Sequence, residues 1–421
     1  MFDETRLAVY SGGGALRLWR RDADGMQTPL NPNRIARLLD ERRVLLVVGA
    51  GGAGKTTLSA ALGVAAAQRG RRTLVLTVDP AKRLANALGL QAFSEHVQHI
   101  SAADFAAQGC DVPLGLDAAM LDVKRTFDRV VSRYARSPES ARRILEHPFY
   151  QQASTALAGS QEYMATERLY ESVNSGDYDL VVLDTPPAEH ALDFIDAPRR
   201  LIDLFDSPTF RKLITPSSRL RSGVFRPSSV VMKGLQRFTT VEMFSNLLEF
   251  FGQLSETFDG FVSRARDVQA LLQGPDAAFV LVSGCDAVSA QQARSLQEHV
   301  VGLGMNAPAW IVNRVFDFAP SLAEPHRDLA GDLLAVWHDN SAAPVPADLP
   351  ALMRNLAQVS EKLGKLADRD RELLREVTAG VAPQVHVTGV PRRVREPDNL
   401  RELFEISNIL LCAAPLVEAE P

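Results

Sequence analysis

Eight consecutive residues, Gly49-Ala-Gly-Gly-Ala-Gly-Lys-Thr56, carry the densest chemical signal in the chain. They match G-x-x-x-x-G-K-[ST] at every fixed position, directly after an apolar run and at the start of a helical pattern. Gly49, Gly51, Gly52 and Gly54, with the small Ala53 among them, let backbone N–H groups curl around phosphate oxygens. The helix start adds partial positive charge. Lys55 has the length to reach a β- or γ-phosphate, Thr56 can bring a hydroxyl to Mg²⁺, and Thr57 extends the same turn. Such a site also needs a carboxylate at the end of a neighbouring buried strand. Asp184 closes Leu180-Val-Val-Leu183 and suits the magnesium shell; Asp79 closes Thr73–Val78 and suits the water that attacks the terminal phosphate. Either aspartate alone would serve equally well as a helix cap. Together with the glycine-rich turn they predict Mg²⁺-dependent hydrolysis of ATP.

These residues need elements to hold them. Val44–Val48 reads as a buried strand, Lys55–Arg69 as a helix closed by Gly70, and Thr73–Val78 as a second strand. Further buried-strand candidates are Leu180–Leu183, Phe279–Val282, Ala309–Val312 and Val385–Thr388. Short apolar runs of this kind predict an α/β fold with a mostly parallel sheet flanked by helices. The long stretches between the strands have helical periodicity, which predicts an inserted helical subdomain at about 104–175 and 190–272. Residues 1–43 form an extension. Within it, Leu7–Tyr10 and Ala15–Trp19 flank Ser11-Gly-Gly-Gly14 like a hairpin, and Asn31–Arg43 reads as a helix. The main domain is placed at 44–412 and a tail at 413–421. Thr215–Lys233 and Ser341–Pro350 have loop-like compositions.

With the phosphate-binding turn, Asp79-Pro-Ala and Asp184-Thr-Pro-Pro187 in place, the chain resembles the ArsA/GET ATPases over about 44–412. That family includes the arsenite-pump ATPase and the chaperone that delivers tail-anchored membrane proteins. The resemblance is strongest in Asp79–Ala85 and Asp184–Phe194, which match switch I and switch II of bacterial ArsA-like ATPases. It implies that Asp79 positions the attacking water and that Asp184 serves Mg²⁺. It also implies that Asn313 and Arg314 lie at the adenine, with Val390-Pro391 closing the other side of the base. A turn residue at a strand end is the plainer account of Asn313. Two departures stand out. The family's signature lysine, which reaches the partner subunit's nucleotide, is replaced by Ala50, with Lys82 and Arg83 as possible substitutes. In switch II, His190 matches the family pattern but Glu189 stands where glycine is expected.

Composition bounds the remaining choices. The chain has 421 residues, 46% hydrophobic and 23% charged, with 46 basic against 51 acidic side chains. That balance excludes a polybasic nucleic-acid binder as a whole-chain description. The longest uncharged stretches, Ile406–Val417 and Val44–Gly54, fall short of the ~18 apolar residues of a spanning helix. No secretory signal is visible behind Asp3 and Glu4, so a cytoplasmic location is expected.

Between Phe244 and Leu272 the apolar residues follow a helical stripe, with Met243 and Phe250 beside it. A core face explains the stripe, and an exposed client surface is the sharper alternative. Arg199–Arg237 holds nine basic residues against Asp203 and Asp206, either a solvated face or a docking site for an acidic partner or anionic lipid. The favoured function is an ATP-driven switch, a homodimer or a heterodimer with a paralogous ATPase. It would bind a protein client, and the family resemblance implies a membrane-protein connection for that client. An arsenite-efflux ATPase subunit and a non-hydrolysing partner of another ATPase are the alternatives. Cys110, Cys285 and Cys412 are too scattered for a soft metalloid site, and intact Lys55, Thr56, Asp79 and Asp184 argue against decay.

Overall fold

The computed structural model describes residues 7–8, 19–21, 27–29, 34–79, 83–90, 96–148, 150–151, 160–186, 188–208, 258–316, 349–382 and 384–412. Near the start, β1 (Leu7–Ala8), β2 (Trp19–Arg21) and β3 (Gln27–Pro29) pair as a small antiparallel sheet. The main sheet contains β4 (Val44–Gly49), β5 (Thr73–Thr77), β6 (Gln98–Ile100), β7 (Leu116–Met120), β8 (Leu180–Asp184), β9 (Ala277–Gly284), β10 (Ala309–Val315) and β11 (His386–Pro391). Its order is β11-β10-β9-β4-β8-β5-β7-β6. All neighbours run parallel except β6, which is antiparallel to β7.

The helices of the first half are α1 (Arg34–Glu41), α2 (Lys55–Gln68), α3 (Arg83–Ala87), α4 (Ala102–Ala106), α5 (Val123–Tyr134) and α6 (Pro138–Glu146). Those of the second are α7 (Ser160–Asn174), α8 (Ala188–Asp206), α9 (Phe258–Gln273), α10 (Ala287–Gly302), α11 (Leu349–Ala379) and α12 (Leu400–Cys412).

Strand side chains alternate between two cores because successive residues point to opposite faces. Leu45 and Val47 of β4 join Val182, Val280 and Ile311 in one core, beneath α1, α2 and α12. Val44, Leu46 and Val48 join Val181, Phe279 and Trp310 in the other, beneath α7, α9, α10 and α11. Burial on both faces explains why these strands read as unbroken apolar runs. Helix α2 is almost wholly buried and rich in alanine. It lies so close to β5 that a methyl on Gly63 would come within 2.3 Å of Val75.

The helical run expected from about 104 is interrupted. Leu116–Met120 is strand β7, paired with β5, and the sequence reading missed it because Asp117 and two alanines break the apolar pattern. Helices beyond it, from α5 to α9, enclose a smaller core that includes Val131, Ile144, Tyr150, Met164 and Phe261. Next to that core Arg264 pairs with the buried Glu167 at 3.1 Å and lies 4.2 Å over the Tyr170 ring. Phe261, Val262, Ala265, Val268 and Leu272 are buried, so this part of the apolar stripe is a core face. Met243, Phe244 and Phe250, the segment Thr215–Lys233 and nearly all of Ser341–Pro350 lie outside the described residues. Among the described residues no helix is long and apolar enough to cross a membrane.

Candidate active site

Five separate stretches of chain meet at the carboxyl edge of the parallel strands, where open α/β sheets receive ligands. The turn Gly49–Gly54 follows β4, Asp79 follows β5, Asp184 ends β8, Asn313 lies in β10 and Pro391 ends β11. Glycine is required sterically at two points of the turn. A methyl on Gly49 would stand 1.9 Å from the Val282 carbonyl oxygen of the adjoining strand. Gly54 has φ +92° and presses against Asn313, whose amide nitrogen would be 2.2 Å from an added methyl. Gly54 is also the N-cap of α2 and brings no capping side chain. The N-caps of α5 and α10 instead use Asp122 and Asp286 side chains. Gly51 and Gly52 are exposed, Ala53 is buried, and Thr56 and Thr57 are half-buried in the first turn of α2.

Lys55 folds back over the turn, its ammonium donating to the carbonyls of Gly49 at 3.1 Å and Ala50 at 3.0 Å. Burial holds this ammonium below the usual lysine range, against the pull of Asp184. An ammonium held on carbonyl oxygens at the mouth of such a turn is ready to exchange them for phosphate oxygens.

Asp184 is 1% exposed. Its Oδ2 accepts hydrogen bonds from Thr56 at 2.7 Å and from Thr77 at 2.9 Å. Ser59 approaches Oδ1 at 3.5 Å. Burial pushes the carboxyl up to about 6, although these hydroxyls favour its charged form. A buried carboxylate beside a threonine hydroxyl is a hard oxygen pair, which fits Mg²⁺ that keeps waters and takes its remaining oxygens from phosphates. Among the described residues there is no cluster of three or more His, Cys, Asp or Glu for a metal held by side chains alone.

Asp79 is half-buried. Its backbone N–H donates to Thr77 Oγ1 at 3.2 Å, and its carboxylate lies 3.7 Å from Arg83 at the start of α3. The positive charge of Arg83 also opposes that of Lys55, so the two cations lie within electrostatic reach of each other. Lys82 is outside the described residues, as are the side chains of Glu189 and His190. The Gln161 amide of α7 reaches the Val78 carbonyl at 3.3 Å, one residue before Asp79. Helix α7 therefore touches the strand end that leads to Asp79.

Asn313 faces the turn: its Nδ2 donates to the Ala53 carbonyl at 2.8 Å, and its Oδ1 accepts the Arg314 N–H at 2.9 Å. Arg314, at φ 61°, points outward and pairs with Glu396 at 3.0 Å. Pro391 is half-buried beside it, across from Val315 in the β10–β11 pairing. Sequence reasoning missed Thr77, Ser59 and Gln161. The Thr77-x-Asp79 spacing was the available signal, but a threonine near a strand end reads first as an ordinary β-former.

Comparison with known proteins points to one ATPase family. The family model described as anion-transporting ATPase matches residues 42–324. A protein named arsenical pump-driving ATPase 1 in Aquifex aeolicus is 24% identical over 277 residues, 65% of this chain and 63% of that one. An uncharacterized protein of Streptomyces coelicolor is 30% identical over 186 residues, 44% of this chain and 43% of that one. The ATPase GET3 of Malassezia globosa is 27% identical over 169 residues, 40% of this chain and 46% of that one. The chain thus spans less than two thirds of the length of these relatives.

Proposed function

Because this chain belongs to the anion-transporting ATPase family, we propose that it hydrolyses ATP at the edge formed by Gly49–Thr57, Asp79 and Asp184. The observation that carries this reading is the convergence of Lys55, Thr56 and the buried Asp184 on one glycine turn. The uncapped α2 N-terminus and the turn amides take the phosphates. Lys55 gives up its carbonyl partners for β- and γ-oxygens. Thr56 and Asp184 would hold Mg²⁺, which would supply positive charge to offset that of the phosphates. Asp79 orients the water in line with the γ-phosphate. Asn313 braces the turn, on the side where the family resemblance would set the base, with Arg314 and Pro391 beside it.

The hydrolytic cycle then drives a dimer, with a second copy or a paralogous ATPase, that holds a protein client through the helical segments. The Gln161–Val78 bond supports this coupling, since it joins α7 to the residue just before Asp79. Ala50 brings no cation across such a dimer, so weak turnover of the isolated chain, raised by a partner, is expected. An anion- or arsenite-efflux subunit is the second reading, favoured by the name of the Aquifex relative. Steady-state assays decide the first point. Parent protein should release phosphate from ATP only with Mg²⁺, while Lys55→Ala and Asp79→Asn fall roughly a hundredfold or more. Asp79→Asn should still bind ATP; hydrolysis by it at the parental rate would remove Asp79 from the mechanism.

A further inference from the structure

Thr77 occupies a position with two demands on one hydroxyl. It is 1% exposed at the end of β5, opposite Asp184 in the β5–β8 pairing. The Asp79 N–H can only donate, so a lone pair of Thr77 Oγ1 receives it at 3.2 Å. The single hydroxyl proton is then left for Asp184 Oδ2 at 2.9 Å. Valine would fill the same strand position without either bond, so packing alone does not call for threonine.

We propose that Thr77 is a positioning residue that couples the two switch aspartates: what engages the Asp184 carboxylate sets where the Asp79 segment stands. This rests on the ATPase reading above. Asp184 Oδ2 is shared by Thr56, on the phosphate-binding helix, and Thr77, on the strand leading to Asp79. Any cation drawn to that oxygen competes with both hydroxyl protons. A weakened Thr77–Asp184 bond frees the hydroxyl to turn, and the Asp79 amide loses or keeps its acceptor accordingly. The backbone alone does not carry this signal, because the Val78 N–H bond to the Asp184 carbonyl, 3.2 Å, ends one residue earlier.

The test uses the full chain with Thr77→Val, Thr77→Ser and, should valine fail to fold, Thr77→Ala. Hydrogen exchange of a peptide covering Asp79 is followed in the free protein, with ADP and EDTA, and with ADP and Mg²⁺. In the free protein, Thr77→Val should exchange roughly tenfold faster at the Asp79 amide, since its acceptor is gone. Parent and Thr77→Ser should show an Mg²⁺-dependent change that Thr77→Val or Thr77→Ala lacks. The turnover number should fall roughly tenfold or more in the same variants, with KM for ATP shifted less than about twofold, and recover in Thr77→Ser. No Mg²⁺-dependent change in the parent, an unaltered change in Thr77→Val or Thr77→Ala, or failure of Thr77→Ser to recover would each overturn the proposal. A parent that never hydrolyses ATP, yet loses its exchange response on Thr77→Val, would sink the ATPase reading and leave the coupling standing.

Discussion

The side chain of Asn313 lies directly over Gly54, with its amide bonded to the neighbouring Ala53 carbonyl at 2.8 Å. Strand β10 thereby braces the phosphate-binding turn from a point far along the chain. An Asn313→Ala variant should therefore weaken ATP and GTP alike, by roughly tenfold for one lost buried hydrogen bond. Titration calorimetry with both nucleotides checks this. A loss confined to ATP would make Asn313 a reader of the base instead.

Ala50 is 3% exposed and packs into the core beneath α2. A lysine there has no free direction without lifting the turn. Ala50→Lys should lower stability by about 1–3 kcal/mol and leave basal turnover no faster. Thermal melts and phosphate-release assays on the same preparation measure both. A faster variant with an unchanged melting point would show that the lysine escapes to the surface and works there.

Glu167 has no exposed surface, and burial pushes its carboxyl up to about 7 despite the attraction of Arg264. The folded chain then holds a proton that the unfolded chain has released. This group's contribution to stability is present at low pH and is lost as pH rises from about 4.5 to 7, on the order of 3 kcal/mol. Glu167→Gln should flatten the stability curve in that window. Urea unfolding of parent and variant at several pH values isolates the difference; equal slopes would place Glu167 among ordinary carboxylates.

The three cysteines are all free. Burial raises the thiols of Cys110 and Cys412, and pushes Cys285 up to about 12. Soft metalloids need thiolates gathered in one place. Arsenite should therefore leave turnover unchanged, and replacing all three by serine should alter the rate less than about twofold. A strong arsenite response lost on that replacement would establish the efflux reading.

Legibility in the sequence followed burial. Strands β4, β8, β9 and β10 are covered on both faces, so their apolar runs were plain, and the glycine turn showed itself through fixed residue types. Edge strand β6 and its inner neighbour β7 were hidden because Gln98, His99 and Asp117 keep polar positions facing solvent or one another; His99 and Asp117 pair at 2.6 Å. The principal acidic groups of the site could be found because Asp184 ends a buried strand and Asp79 closely follows one. Thr77 and Gln161 could not, since their importance comes from what the folded chain sets beside them. Asn313 was noticed for a different reason than its observed contact with Ala53.

The place of β4 in the sheet also governs how the chain is made. Val44 pairs with Val181 on one side and Ala277 on the other, both far downstream. At a synthesis rate of about 5–20 residues per second, the strand bearing the glycine turn waits on the order of 10–50 s on the ribosome for its second neighbour. Through that interval Val44–Val48 has an unpaired edge, and the site cannot assemble until the chain beyond Ala309 has emerged to bring Asn313. Nucleotide capture is therefore a late event in the biogenesis of this protein, and a nascent chain cut short before β9 keeps an apolar strand with one edge uncovered.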